Sequence, residues 1–208
     1  MPTPTSRTEH LEIAGVPMRA ELTPGGPVGV LALHASNEGG TGQLARALAE
    51  STGATCLVFT QPGSSPVHVP SPAMAVAHCR ALREFLARAE ITVSLHGHLR
   101  PAAPRSLFLG GANRAAAHWI AAGLSALRPE FDPVTDLGAI PRALRGLHPR
   151  NPVNLARRGG VQVELPLAAR TMTPDDRDTP DTPPPAVADA LVAGVRLLAD
   201  RALSPPGR

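Results

Sequence analysis

An α/β fold in a single domain, with helices flanking a mostly parallel or mixed central sheet, is the class this sequence predicts. Three observations predict it. Apolar, β-branched runs recur along the chain: VGVLAL, TCLVF, ITVSL and VQVEL. Segments with helical spacing fall between them, as in parallel α/β units. The length, 208 residues, suits one domain with short tails, and at that size no disulfide or structural metal is needed for folding.

The elements follow in order. Residues 1–10 are polar and read as a flexible N-terminus. LEIAGVPMRAEL, at 11–22, alternates apolar and polar residues and predicts an edge strand pair. TPGGP then turns the chain. VGVLAL, at 28–33, is a continuous apolar run and predicts a buried strand. A glycine turn and a Thr or Gly cap lead into a helix from about Gln43 to Glu50. TCLVF, at 55–59, is a second strand, and the Pro- and Ser-rich 60–72 must be a loop. Residues 73–89 place Met74, Ala77, Ala81, Leu82, Phe85 and Leu86 at helical spacing.

ITVSL at 91–95 and SLFLG at 106–110 are strands, followed by a helix over 114–127 with Trp119, Ile120 and Leu124 as its buried stripe. Residues 141–146 suit a short helix, and 148–154 a loop because prolines flank its polar residues. VQVEL at 161–165 is the last clear strand. TPDDRDTPDTPPP, at 173–185, cannot pack and reads as a loop or linker. A helix over 186–202 closes the domain, which spans 11–203, and 204–208 are a tail. No repeat is visible.

Composition excludes several classes. Hydrophobic residues make up 43% and charged residues 18%, as in a globular protein. No apolar run approaches the roughly 20 residues of a membrane span. The first residues lack the apolar core of a secretory signal, so a cytoplasmic location is expected, without membrane contact. The net charge of +3 is small and aromatics are only 2%, which argues against nucleic acid as a partner. Cys56 and Cys79 both lie in apolar patterns and read as buried free thiols.

The chemistry gathers at strand ends. His34 follows VGVLAL directly, Glu38 comes four residues later, and His96 follows ITVSL directly. In such sheets ligands bind beyond the carboxyl ends of the strands. Two imidazoles and a carboxylate, with a position left for water, are the protein ligands of many catalytic zinc sites. Glu164, inside VQVEL, is a candidate proton carrier. It alternates with Val161, Val163 and Leu165, so it is either the outward residue of a half-exposed strand or a functional carboxylate. His98 would point the same way as His96 and suits a substrate contact or a structural role. His68 is placed to line the mouth; His148 is a weaker candidate. His10, His78 and His118 read as surface or core residues. LFLGGANR offers backbone amides at a turn, most simply an ordinary strand-to-helix turn. Arg100, Arg150, Arg157 and Arg158 are the arginines suited to an acidic substrate, since guanidinium groups match carboxylates.

The ordered set LALHASNEGGTGQLARALAE, SLHGH, LFLGGANRA and LHPRNPVNLARRGGVQVELPLAAR, over roughly 28–170, resembles the poly-γ-glutamate hydrolase family of phages and bacteria. That family is similar to zinc carboxypeptidases in fold and site. The resemblance implies one Zn2+ ion on His34, Glu38 and His96, a general base at Glu164, and a γ-linked glutamate polymer or other acidic amide as substrate. It also implies a substrate grip near Asn154. Two departures accompany it. The His-to-Glu gap, HASNE, is shorter than the family tends to have. Leu155 follows Asn154 where relatives tend to carry arginine, with Arg157 or Arg158 as possible substitutes. Two alternatives remain open: a zinc amidase or carboxypeptidase on another peptide or N-acyl amino acid, and an inactive relative that binds an acidic polymer. Oligomeric state is not legible.

Overall fold

Eight strands form one mixed sheet: β1 (Arg7–Ile13), β2 (Val16–Thr23), β3 (Gly26–Ala32), β4 (Ala54–Thr60), β5 (Ile91–His98), β6 (Ser106–Leu109), β7 (Asp132–Val134) and β8 (Gly160–Pro166). Their spatial order is β1-β2-β4-β3-β5-β8-β6-β7. Among the described residues four α-helices accompany them: α1 (Thr41–Thr52), α2 (Arg80–Arg88), α3 (Arg114–Leu124) and α4 (Pro185–Leu203). The computed structural model describes residues 5–74, 77, 79–172 and 181–203.

The continuous apolar runs occupy the middle of the sheet, where β4, β3, β5 and β8 run parallel. Strands buried on both faces need apolar residues on both, which is why β3 and β4 do not alternate. Strands β5 and β8 do alternate, and their second face carries the buried polar residues Thr92, Ser94, His96, Gln162 and Glu164. On one face Val30, Val93 and Val163 pack against α1, α3 and α4. On the other, Leu31, Leu57 and Phe59 pack against Leu82 and Phe85 of α2. Since successive strand residues alternate faces, Ser94, His96, Gln162 and Glu164 lie opposite the Val93 and Val163 face. The β5–β8 register pairs His96 with Glu164 directly. Parallel connections also bring the ends of β3 and β5 to the same rim.

The strands at 11–22 are indeed an edge pair, but β1 starts at Arg7, within the stretch expected to be flexible. It is paired from Arg7↔Leu22 onward. Glu9 in it accepts from the first amides of α2, Arg80 N at 3.0 Å and Ala81 N at 2.6 Å, and so caps that helix. The helical spacing expected over 73–89 is realised as a short 3-10 turn at Ser71–Ala73 and then α2 from Arg80. Residues 75, 76 and 78 lie outside the described ones, as do 1–4, 173–180 and 204–208. The short helix expected over 141–146 is a single 3-10 turn, Arg142–Leu144, whose flanking Pro141 and positive-φ Gly146 limit it. Strand β7 was not expected. It is three residues long with a central proline, tolerable only because β7 is an edge of the sheet. Cys56 and Cys79 are buried and free.

Candidate active site

The loop after β3 turns helically: Glu38 N donates to His34 O at 2.8 Å. This i,i+4 geometry sets Glu38 beside His34 despite the short gap between them. The Glu38 carboxylate then bridges two imidazoles. Its Oε1 lies 3.1 Å from His34 Nδ1 and its Oε2 lies 3.4 Å from His96 Nδ1. Gly97 N–H donates to the same Oε2 at 2.9 Å. Among the described residues, His34, Glu38 and His96 bring one donor atom each within 4.8 Å of one another.

Hydrogen bonding bears on whether this cluster fits a cation. His34 Nε2 donates to Val69 O at 2.8 Å, which leaves Nδ1 without a proton in the neutral ring. An unprotonated Nδ1 and a carboxylate oxygen then face each other, two acceptors at 3.1 Å. Only a shared positive charge, a second proton or a metal ion, makes that contact favourable. A backbone carbonyl that orients a ligand imidazole is also the usual support of a metal site. Burial would raise the Glu38 carboxyl, but His96, and then the His34 contacts, outweigh it and hold Glu38 well below the usual carboxylate range. Burial disfavours charge on His96, yet the Glu38 carboxylate beside it raises the imidazole above its usual value.

Glu164 is 3% exposed, so it is not the outward residue of a half-exposed strand. Its Oε1 accepts from Gln162 Nε2 at 2.7 Å, and Gln162 Oε1 accepts from Asn151 Nδ2 at 2.8 Å. Burial, against the opposing pull of His96, pushes Glu164 up to about 7. Glu164, Gln162 and Asn151 line one cleft of about 400 Å³ together with His34, Glu38 and His96. Behind it lies Arg170, 3% exposed, whose Nε donates to Leu165 O at 3.2 Å and Nη1 to Gly39 O at 2.6 Å. This buried guanidinium ties the end of β8 to the loop carrying Glu38. The loop needs Gly40, at φ +85°, because a Cβ there would collide with the Arg170 carbonyl.

The other expected residues are placed as follows. His68 reaches the mouth, its ring 4.6 Å from that of His34. His98 does not line the cleft: its Nε2 donates to Ser106 O at 2.9 Å, its Nδ1 accepts from Arg100 N at 3.4 Å, and it is spent on structure. Arg100 is exposed in a separate depression with Pro101 and Leu167. Arg150 is exposed beside the cleft without lining it. Asn154 is used up as well. Its Oδ1 accepts from Ala112 N at 2.9 Å and its Nδ2 donates to Gly146 O at 2.7 Å and His148 O at 3.1 Å. Arg157 pairs with Glu90, and Arg158 donates to Ala202 O. Glu90 precedes β5, so these two arginines stand at the opposite end of the strand from His96 and cannot substitute at the cleft.

Residues that the sequence did not single out are Gln162, Asn151, Arg142 and Arg170. Gln162 carried a signal, since i,i+2 spacing puts it on the face of Glu164. The other three depend on how distant loops fold over the strand ends.

A mixed eight-stranded sheet with a His–Glu–His cluster at the carboxyl rim of its central strands puts the protein in the zinc carboxypeptidase-like fold class. The fold matches a metallo-carboxypeptidase from Burkholderia cenocepacia, 10% identical over 98% of this chain and 67% of that one, with a TM-score of 0.55. Within this class the chain belongs to the poly-gamma-glutamate hydrolase family, whose model matches residues 15–182. A bacteriophage poly-gamma-glutamate hydrolase has the same fold, with TM-score 0.71 and 22% identity over 93% of this chain and 94% of that one. So does the zinc-free apo form of YNDL, with TM-score 0.66 and 21% identity over 95% and 90%. No curated protein sequence matches significantly. No helix among the described residues is long and apolar enough to cross a membrane.

Proposed function

We propose that this protein hydrolyses γ-glutamyl amide bonds of an acidic polymer, with zinc held by His34, Glu38 and His96 and with Glu164 moving the proton. The observation that carries this reading is the shared cleft: the donor cluster and a buried carboxyl meet there, in a member of a hydrolase family. An imidazole and carboxylate donor set suits zinc, which when bound would polarise the amide carbonyl and acidify a water. Glu164 suits general acid–base work because its pKa is raised to about 7, near working pH. Gln162 holds Oε1, which leaves Oε2 to take a proton and return it to the leaving nitrogen. Asn151 fixes Gln162 in turn, so the carboxyl is aimed before substrate arrives.

The test is a size analysis of poly-γ-glutamate incubated with protein and zinc, with and without a chelator. Shortening that the chelator stops is expected. Glu164→Gln should bind zinc normally and lose roughly 10²–10⁴-fold in turnover. A polymer left intact by zinc-loaded protein, or full activity in Glu164→Gln, would sink the reading.

A further inference from the structure

A γ-linked glutamate chain keeps a free α-carboxylate on every residue. A cleft that cuts it must therefore accept an anion beside the amide. Glu38 is taken up by the cation it would hold, but an ionised Glu164 repels that anion, so a positive charge on the cleft's rim would favour the substrate. Of the described residues lining the cleft, Arg142 alone carries a guanidinium. Its side chain is exposed and makes no ion pair or hydrogen bond among the described residues. Arg170, by contrast, does not line the cleft: it is buried, with Nε and Nη1 donating to two backbone carbonyls. Arg145, three residues on, donates Nε to Ile140 O at 2.8 Å.

Resting on the γ-glutamyl reading above, we propose that Arg142, together with His148, receives the α-carboxylate of the glutamyl residue beside the bond that is cut. Both sit on the strap between β7 and β8, and the strap is firmly tied. Gly111 N donates to Arg145 O at 2.7 Å. Asn154 holds the Gly146 and His148 carbonyls, and Asn151 holds Gln162. Backbone fixed this way presents Arg142 with little loop entropy left to lose on binding. His148 has a set tautomer: its Nδ1 accepts from Arg150 N at 3.1 Å, so the neutral ring carries its proton on Nε2. A guanidinium and an imidazole N–H on one rim are donors matched to a carboxylate. The strap also links to catalysis, because Asn151 in it orients Gln162 and through it Glu164.

Two oligomers test this: γ-linked glutamate, and the same chain with its α-carboxylates converted to carboxamides. Wild type should favour the acid in kcat/KM by roughly tenfold or more. Arg142→Gln should lose most of that ratio through a raised KM, and Arg142→Lys should recover part of it. An Arg142→Gln protein that keeps the full ratio overturns the proposal. Calorimetry of both oligomers on zinc-loaded Glu164→Gln protein reads the same preference without turnover. Equal binding of acid and carboxamide there overturns the Arg142 assignment. Tighter binding of the acid that Arg142→Gln in the same Glu164→Gln background removes supports it even if wild type cuts neither oligomer, a result that would overturn only the γ-glutamyl hydrolase reading. A preference that survives Arg142→Gln overturns the Arg142 assignment.

Discussion

Glu164 sits on a central strand, where an ionised carboxylate is costly to bury. The cost appears as a pKa pushed to about 7 against an ordinary value of 4.5. Without metal, the folded protein keeps this proton over a pH range in which the unfolded chain loses it. The contribution of Glu164 to stability is therefore undiminished below about 4.5, falls as pH rises to about 7, and stays low above. The difference amounts to about 3 kcal/mol. Metal-free Glu164→Gln should accordingly be more stable than metal-free wild type near pH 8 by about that much, with the gap closing toward pH 4.5. Denaturant titrations across pH check this, and a gap that does not vary with pH would contradict it. At this scale the sequence was informative where a chemical residue directly ends an apolar run, as for His34 and His96. It was uninformative for arginine. Twenty arginines stand in the chain, and spacing cannot separate Arg142 in the cleft from Arg157 at the far end of β5.

Among the elements, β3 was legible as an unbroken apolar run, and β5 and β8 as short β-branched runs whose apolar residues alternate with polar ones. Strand β7 was not, because a three-residue edge strand with a proline has no periodicity to read. The shortened loop between His34 and Glu38 looked like a departure in sequence, yet a single helical turn closes it. Helices α3 and α4 show how packing constrains composition. A Cβ on Gly123 would collide with the backbone of Gly194, so the two helices cross where neither has a side chain. Gly123→Ala should cost about 1–3 kcal/mol by forcing these helices apart. Thermal unfolding measures that, and it should leave zinc affinity alone, since both helices cover the sheet face opposite the His96 and Glu164 side chains.

At the level of the whole molecule, the His34–Glu38–His96 cluster joins elements that are distant in sequence, the β3 rim, the β5 rim and the loop clamped by Arg170. A cation bound there should stabilise the fold by mass action, about 2.7 kcal/mol when zinc is roughly 100-fold above Kd. Zinc should therefore raise the Tm of wild type in a concentration-dependent way and leave the Tm of His34→Ala nearly unmoved. Equal shifts in both would place the ion elsewhere. What the sequence determined by itself was the α/β class and the central strands, and it marked His34, Glu38 and His96 as a candidate donor set and Glu164 as a candidate proton carrier. Those follow from local pattern, since a strand's burial and its terminal residue are written in adjacent positions. Only the tertiary structure decided that Glu164 faces the cleft, that Asn151 and Gln162 hydrogen-bond in series to it, and that Arg142 lines the same cleft. Those depend on strand register and on a strap folding over the rim, and no local pattern encodes which distant loop covers which strand end.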